Sequence, residues 1–159
     1  MKILLLGSSG QLGSDIFREL SKFNKFKIFA PKSSEIDLSK ENFINKIYNI
    51  NFDYIINCVA IHDINFSENN KDLSYKINSD VPKKLAEYCE SKNCNLIHFS
   101  TDYVFDGNKK DSVEYTEKDY VNPLNIYGSS KVMGEKKIKS IFGNYYILRV
   151  STLFGLIPP

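Results

Sequence analysis

Tryptophan is absent from this chain of 159 residues, and cysteine, histidine and methionine are scarce, at three, two and two residues. The cysteines, Cys58, Cys89 and Cys94, are odd in number and show no CxxC spacing. Two histidines add little to a zinc ligand set, and an odd, widely spaced set of cysteines does not suggest a disulfide framework. The sequence therefore predicts neither a metal site nor a disulfide-stabilised fold.

Long apolar runs are also missing. The longest, such as Ile3–Leu6 and Ile55–Ile61, are far shorter than the ~20 residues that cross a bilayer. The first run ends at Gly7 and is too short for a signal peptide, so we expect a cytoplasmic protein. The 21 basic residues nearly balance 19 acidic ones, and no basic stretch is interleaved with aromatic side chains. A nucleic-acid polymer and a membrane are therefore poor candidates as partners.

The composition that is present suits a globular protein. Apolar residues make up 42% of the chain, and ten tyrosines and eleven phenylalanines supply a core. The length predicts one domain, placed at residues 1–159. Five short apolar runs predict strands at 2–6, 26–30, 54–59, 95–100 and 145–150. Helically spaced residues between them predict an α/β fold with a doubly wound parallel sheet.

Two of the connections carry further expectations. Phe43, Ile44, Ile47 and Ile50 have helical spacing and predict a helix before the third strand. The connection 101–126 lacks any periodic pattern and contains turn signals. Because loops of this length at the end of a strand are usually functional, we expect it to contribute to a site.

The first strand runs into a glycine-rich turn, Gly7-Ser8-Ser9-Gly10-Gln11-Leu12-Gly13, and a helical pattern follows. Gly7 permits a tight turn, Gly10 lets a pyrophosphate approach the backbone, and Gly13 lets the helix pack closely on the strand. The helix N-terminus offers free N–H groups to the phosphates. The motif predicts a dinucleotide-binding Rossmann fold. The alternative is a merely tight strand-to-helix turn.

The end of the second strand bears on the choice of cofactor. An acidic residue there would bind the ribose 2′-hydroxyl of NAD, but the sequence reads Ala30-Pro31-Lys32-Ser33-Ser34. A basic residue with two hydroxyls favours a 2′-phosphate, so we predict NADP(H), with Lys32 as a ligand and NAD(H) as the alternative. Lys32 could equally be a solvated loop lysine.

A tyrosine four residues before a lysine shares its helical face, and the ammonium can lower the phenol pKa from about 10. With ten tyrosines in the chain, about one such pair is expected by chance, and two occur, Tyr88/Lys92 and Tyr127/Lys131. Tyr88/Lys92 has no loop or hydroxyl partner nearby and predicts a packing or surface pair. Tyr127/Lys131 follows the long loop and shares the carboxyl end of the sheet with Thr101, so these residues leave a catalytic role and a structural role equally open.

These residues together resemble the extended short-chain dehydrogenases/reductases and, among them, the dTDP-4-dehydrorhamnose reductases and their sugar-nucleotide-binding relatives. The resemblance covers the whole chain. Its most specific parts are the glycine loop, the segments 100–107 and 123–128 with Lys131, Gly134 and Glu135, and the segment 148–155. The run TDYVFDG after the fourth strand distinguishes this family from related epimerases and dehydratases.

The resemblance implies an NADP-dependent reductase of a nucleotide-activated 4-keto sugar. Tyr127 would be the general acid, Lys131 its electrostatic partner and a ligand of the nicotinamide ribose, and Thr101 the hydroxyl that orients the substrate carbonyl. Cofactor contacts would come from the glycine loop, including Ser9, Gln11 and Leu12, and from Asp37, Leu38, Cys58, Val59 and Ala60. A homodimer is compatible with the family.

Asn78 matches an asparagine that the superfamily places near the catalytic lysine. Pro82 has no N–H to donate to the Asn78 carbonyl four residues earlier, which leaves that carbonyl free. We therefore predict a water bridge from Asn78 to Lys131 that restores the proton given by Tyr127. The alternative is a simple helix kink.

Departures from the family pattern leave the substrate open. Ile61-His62 and Thr152 stand where the rhamnose branch commonly has Tyr-Thr and Trp, and we expect His62 to be a polar loop residue rather than a base. Family members run to about twice this length, so we expect either a fragment truncated before the substrate domain or a protein that ends where that domain would begin. The alternative functions are a non-catalytic cofactor-binding subunit or remnant, and an NAD-dependent epimerase or dehydratase.

Overall fold

The computed structural model describes residues 1–110, 113–141 and 143–155. Its five strands are β1 Lys2–Leu6, β2 Lys27–Phe29, β3 Tyr54–Asn57, β4 Asn95–Thr101 and β5 Tyr145–Val150. All five predicted strands are confirmed, and β2 and β3 are shorter than their apolar runs. The last four residues of the predicted domain lie outside the described residues.

The helices are α1 Gln11–Leu20, α2 Ile64–Asn69, α3 Lys71–Tyr75, α4 Val81–Lys92 and α5 Ile126–Lys139. The strands form one parallel sheet in the order β2-β1-β3-β4-β5. The strand order reverses between β1 and β3, and ligands of open α/β sheets bind beyond the carboxyl ends of the strands at such a switch point.

Apolar residues cover both faces of the sheet. Leu4 and Ile55 pack on one side with Leu85 of α4, and Ile3 and Leu5 pack on the other side with α1. This two-sided burial confirms the predicted doubly wound α/β fold of the Rossmann type. Among the described residues, no helix combines the length and apolarity that crossing a membrane requires.

The helix predicted over residues 43–50 is wrong, because this segment forms only a 3₁₀ turn, Phe43–Lys46, flanked by further single turns. Phe43 and Ile47 are nevertheless buried, at 2% and 1% exposure. Asparagine and β-branched isoleucine dominate the segment and have low helix propensity. The apolar spacing of this segment therefore indicates which residues are buried, although they do not form a regular helix.

Helices α3 and α4 are joined by a π-helical turn, Lys76–Asp80, that ends just before Pro82. Pro82 has no N–H for the Asn78 carbonyl, which accounts for the break in the regular ladder. The Asn78 carbonyl lies against α5, where a Cβ on Gly134 would come 2.3 Å from its oxygen. Gly134 therefore allows the π-helical turn and α5 to pack closely.

The long connection between β4 and α5 has more order than its sequence indicates. A 3₁₀ turn, Asp102–Val104, begins it. The Asp106 carboxylate then accepts hydrogen bonds from the Tyr115 hydroxyl at 2.7 Å and the Asn122 amide at 3.1 Å. Together with the Asn108 main-chain N–H, these donors hold the pKa of Asp106 well below its usual range. These bonds join Asp106, near the start of the loop, to residues further along it.

Candidate active site

The glycine loop opens the site between β1 and α1. Gly7 adopts a φ of +82°, which favours glycine, and its carbonyl accepts the Gly10 N–H at 3.0 Å. Gly10 is the N-cap of α1, and within the described chain no side chain caps this first turn. The N–H groups at the start of α1 are therefore available to an anion.

A cavity of about 530 Å³ extends from the glycine loop across the carboxyl ends of the strands. Most of the predicted cofactor and catalytic residues lie in its walls, namely Gly7, Ser9, Gly10, Gln11, Leu12, Gly13, Asp37, Leu38, Cys58, Val59, Ala60, Tyr127 and Lys131. Three predicted residues, Lys32, Asn78 and Thr101, are not among the wall residues. The fold thus brings together segments that are more than a hundred residues apart.

Lys32 is exposed and outside the cavity wall, whereas Pro31 and Ser33 line it. The Lys32 main-chain N–H donates to the Glu35 carboxylate at 2.7 Å. Ser33 of the predicted basic segment therefore lines the cavity, and the Glu35 carboxylate contacts the main chain of Lys32.

Helix α5 carries Tyr127 and Lys131 in its first two turns. Asn125 caps the helix by accepting the Gly128 N–H at 2.7 Å, and Glu68 of α2 accepts the Ile126 N–H at 2.8 Å. Gly128 allows the loop to approach, since a Cβ there would lie 2.3 Å from the Tyr103 carbonyl oxygen. The Tyr103 ring meets the Tyr127 ring edge-on, at 5.8 Å between centroids. These contacts fix the phenol of Tyr127 at the mouth of the cavity.

The Tyr127 pKa differs from the expectation. Burial raises it, a hydrogen bond with the Thr101 side chain lowers it, and Asp102 and Tyr103 raise it further, so that the net shift is upward. The net shift is therefore opposite to the lowering expected from Lys131. The Thr101 hydroxyl also accepts the Tyr103 N–H at 3.2 Å. Thr101 is thus adjacent to the phenol, and its role in orienting a substrate carbonyl stays a prediction.

Lys131 is almost completely buried, at 1% exposure. Its Nζ donates to the Phe99 carbonyl at 2.6 Å and lies 3.4 Å from Nε2 of His98. Burial lowers the pKa of Lys131 to about 8, while Glu135 and Cys58 oppose that shift. Burial also raises the pKa of the Cys58 thiol to about 12, so this wall residue is neutral near pH 7.

The structure adds two buried residues that sequence reasoning missed, His98 and Asn57. They are directly paired in the register of β3 and β4, with 3.2 Å between the Asn57 amide nitrogen and His98 Nδ1. Burial and the nearby Lys131 hold the pKa of His98 well below its usual range. The available signal was a histidine between the apolar residues Ile97 and Phe99 of β4.

A buried carboxylate, Glu135, was quoted only as part of the family motif. It accepts two hydrogen bonds from Arg149, at 2.9 and 2.7 Å, and one from Ser100 at 2.6 Å. Burial raises the pKa of Glu135, but the bonds from Arg149 and Ser100 outweigh it and the net shift is downward. Glu135 thereby ties α5 to β4 and β5 behind the cavity.

The Asn78 side chain connects three parts of the site. Its amide nitrogen donates to the Ile61 carbonyl at 2.8 Å and to the Ser130 hydroxyl at 3.0 Å, and its oxygen accepts the Ile61 N–H at 2.9 Å. Asn78 therefore holds the turn after β3 against α5. The water bridge to Lys131 stays a prediction.

The second tyrosine–lysine pair is confirmed as a packing pair. Tyr88 is 3% exposed, and its hydroxyl donates to the Ile50 carbonyl. Lys92 lies over the Tyr48 ring, with 4.5 Å from Nζ to the centroid. Neither residue lines the cavity that contains Tyr127.

Comparison with known proteins agrees with this geometry. The family described as RmlD substrate binding domain matches residues 1–158. A dTDP-4-dehydrorhamnose reductase from Aggregatibacter actinomycetemcomitans is 33% identical over 155 residues, or 97% of this chain and 52% of the relative. Methionine adenosyltransferase 2 subunit beta from Bos taurus is 31% identical over 161 residues, or 97% of this chain and 47% of that protein.

Among solved structures, a dTDP-4-dehydrorhamnose reductase from Bacillus anthracis in complex with NADP matches with a TM-score of 0.88 and 28% identity, over 99% of this chain and 56% of its own. The chain spans about half the length of the curated relatives that it matches. The match to the family over nearly every residue shows that the chain belongs to the RmlD substrate binding domain family.

Proposed function

We propose that this chain supplies the cofactor-binding and catalytic residues of an NADP-dependent reductase of a nucleotide-activated 4-keto sugar. One observation carries the proposal, namely that a single cavity joins the glycine loop to Tyr127 and Lys131. The Thr101 hydroxyl, which donates to the Asp102 carboxylate at 3.1 Å, lies beside the Tyr127 side chain. The names of two relatives, a dTDP-4-dehydrorhamnose reductase and one in complex with NADP, support the same chemistry.

The cavity walls fit a dinucleotide. The atom nearest to a Cβ on Gly10 would be the Gly7 oxygen, at 3.5 Å. The loop therefore leaves room for a phosphate to approach the backbone. The start of α1 supplies N–H groups to that phosphate. Ile36 and Leu38 give an apolar wall for an adenine, and Lys131 stands at the opposite end beside Tyr127.

A reduced nicotinamide bound in this cavity would supply hydride to the carbonyl carbon of the sugar. Tyr127 donates its phenolic proton to the carbonyl oxygen as negative charge develops there. Thr101 orients that oxygen through its hydroxyl. Lys131, in its charged form, stabilises the phenolate electrostatically and recovers part of the cost of removing a proton from a phenol of raised pKa.

A second cavity, of about 640 Å³, is the proposed place for the nucleotide sugar. Val150 lines both cavities, and Asp102 and Tyr103 bring the second one to the side of Tyr127. Arg149 lies in its wall, held by Glu135, and can pair with an anionic substrate group. His62 lines the first cavity as an exposed loop residue and has no catalytic part in this proposal.

The test is an assay of NADPH oxidation by the protein completed with a substrate domain, using a panel of nucleotide-activated 4-keto sugars. We expect NADPH oxidation that depends on one of these substrates, with a reduced sugar as the product. Binding of NADPH without turnover of any substrate in the panel would contradict the proposal.

A second candidate, a cofactor-binding subunit without catalysis, is favoured by the similarity to methionine adenosyltransferase 2 subunit beta. A subunit of this kind has no need of Tyr127 and Lys131 in the cavity, and both are present. The two candidates differ in the same assay, because the subunit would bind NADPH and leave every 4-keto sugar unchanged.

A further inference from the structure

A chain of buried hydrogen bonds leads from the turn after β3 to the side chain of Lys131. The Val59 N–H donates to Oδ1 of Asn57 at 3.2 Å, and Nδ2 of Asn57 lies 3.2 Å from Nδ1 of His98. Nε2 of His98 lies 3.4 Å from Nζ of Lys131, which donates to the Phe99 carbonyl at 2.6 Å. Asn57 and His98 are 1% and 0% exposed, so bulk water does not compete for these bonds.

The direction of each bond follows from the first donor. A main-chain N–H can only donate, so the atom of Asn57 that faces Val59 is the oxygen. The amide nitrogen therefore faces His98 and can only donate, so Nδ1 of His98 is the acceptor and carries no proton. Burial keeps His98 neutral, and a neutral imidazole without a proton on Nδ1 carries it on Nε2.

We propose that Asn57 and His98 are positioning residues for Lys131, which present an imidazole N–H that only the neutral lysine amine can accept. The proposal rests on the proposed function of Lys131 in the reductase. A neutral amine has a lone pair for His98 and an N–H for the Phe99 carbonyl, which matches both contacts of Nζ. A charged Lys131 has no lone pair, so its ammonium N–H would face the Nε2–H of His98 and no hydrogen bond would form.

The other ionisable groups around Lys131 do not remove this conflict. Glu135, one turn further along α5, favours the charged lysine but is already paired with Arg149 of β5. The Cys58 thiol after β3 is neutral near pH 7, and Tyr127 lies one turn earlier on α5. The pKa of Lys131 is lowered to about 8, so its hydrogen bonds decide how much of it is charged at working pH.

The consequence concerns the pH range of the reaction. The proposed mechanism uses the charge of Lys131 to stabilise the Tyr127 phenolate. Asn57 and His98 act on that charge from beneath the cavity, without touching cofactor or substrate. Asn57 and His98 therefore set the pH at which Lys131 loses its charge. Weakening their hydrogen bonds should extend the activity of the reductase to higher pH.

The first test is the tautomer of His98 in the wild-type protein, read from the ¹⁵N spectrum of its ring nitrogens. We expect the proton on Nε2 and an unprotonated Nδ1 throughout the neutral pH range. A proton on Nδ1 would overturn the proposal, because Nε2 would then accept from a charged Lys131. This measurement needs no variant, so a folding defect cannot obscure it.

The second test follows the ¹³Cε signal of Lys131 through a pH titration in Asn57→Asp, His98→Phe and the double variant. A carboxylate at position 57 accepts from Nδ1, which moves the proton and turns Nε2 into an acceptor for the ammonium. We expect Asn57→Asp to raise the pKa of Lys131 by about half a unit or more. In the His98→Phe background the same change should have a much smaller effect.

Equal shifts of the Lys131 pKa in the two backgrounds would overturn the proposal, because the added carboxylate would then act without His98. No shift in either background would also overturn it, because the hydrogen bonds of Asn57 and His98 would then have no effect on Lys131. The signal of Lys92, which lies over Tyr48, is the matched control and should not respond to either substitution. The readouts do not use catalysis, so a failure of the reductase assay leaves them valid. If the reductase is active and His98 carries its proton on Nδ1, this inference is wrong and the proposed function stands.

Discussion

The Cα of Gly13 lies so close to the Gly7 carbonyl that a Cβ on Gly13 would come 2.0 Å from the Gly7 oxygen. The neighbouring Gly10 is different, because a Cβ there would meet the same oxygen at an ordinary 3.5 Å. One glycine of the loop is therefore required by the packing of α1 on β1, and another by the space left for a phosphate.

This difference predicts opposite effects of two alanine substitutions. Gly13→Ala should destabilise the protein by about 1–3 kcal/mol or more, because backbone atoms must move apart. Gly10→Ala should leave the free energy of unfolding nearly unchanged and weaken NADPH binding about tenfold or more. Urea unfolding and NADPH fluorescence titration measure the two effects. A loss of stability in Gly10→Ala equal to that in Gly13→Ala would contradict the assignment.

The cofactor preference is a separate prediction. The segment after β2 has no acidic residue among positions 30–34, so NADPH should bind more tightly than NADH. Lys32→Ala should reduce the difference, because Lys32 is the predicted ligand of the 2′-phosphate. Parallel titrations with both cofactors provide the measurement. Tighter binding of NADH by tenfold, about 1.4 kcal/mol, would reverse the conclusion.

Glu135→Gln should destabilise the protein by about 3 kcal/mol at pH 7, because Arg149 loses its charged partner in a buried site. The folded-state pKa of Glu135 lies below its usual 4.5, so its contribution is present above that value and is lost as the pH falls through the folded pKa. The stability difference between the wild type and the variant should therefore shrink in acid.

The matched control for that prediction is Glu41→Gln. Glu41 also pairs with two lysines, Lys76 and Lys84, but its side chain is 78% exposed. Solvent screens such pairs, so this substitution should change little. Equal effects of the two substitutions in urea unfolding would show that burial of Glu135 has no part in its contribution.

Lys131→Met should remove activity and yet stabilise the protein at pH 7. Burial depresses the lysine pKa from 10.5 to about 8, so the unfolded state binds the proton more tightly between these values. Wild-type stability must then rise relative to the variant as the pH increases from 8 to 10.5, by up to about 3 kcal/mol. Urea unfolding across this range, with Lys92→Met as control, checks the slope. A constant difference would contradict it.

Much of the fold follows from local pattern. The five strands, the glycine loop and the choice of Tyr127 over Tyr88 rest on periodicity and on position along the chain, and the structure has the same elements in the same places. The segment 43–50 shows the limit of this reasoning, because its apolar residues are buried without a regular helix.

The polar chain beneath Lys131 could not be predicted in this way. Asn57 and His98 meet because β3 and β4 pair in one particular register, and a shift of one residue would separate them. Likewise, Glu135 meets Arg149 only once α5 packs on the sheet. Such contacts depend on tertiary placement, which spacing along the chain does not encode.

The most direct measurement is the comparison of kcat for Tyr127→Phe and Tyr88→Phe, in the protein completed with a substrate domain, during NADPH-dependent reduction of a nucleotide-activated 4-keto sugar. Tyr127→Phe removes only the phenolic oxygen and should lower kcat by ~10² to 10⁴, with NADPH binding nearly unchanged. Tyr88→Phe loses a packing hydrogen bond and should retain its rate. If Tyr127→Phe keeps the wild-type kcat, or Tyr88→Phe is the slower enzyme, the proposed mechanism is wrong.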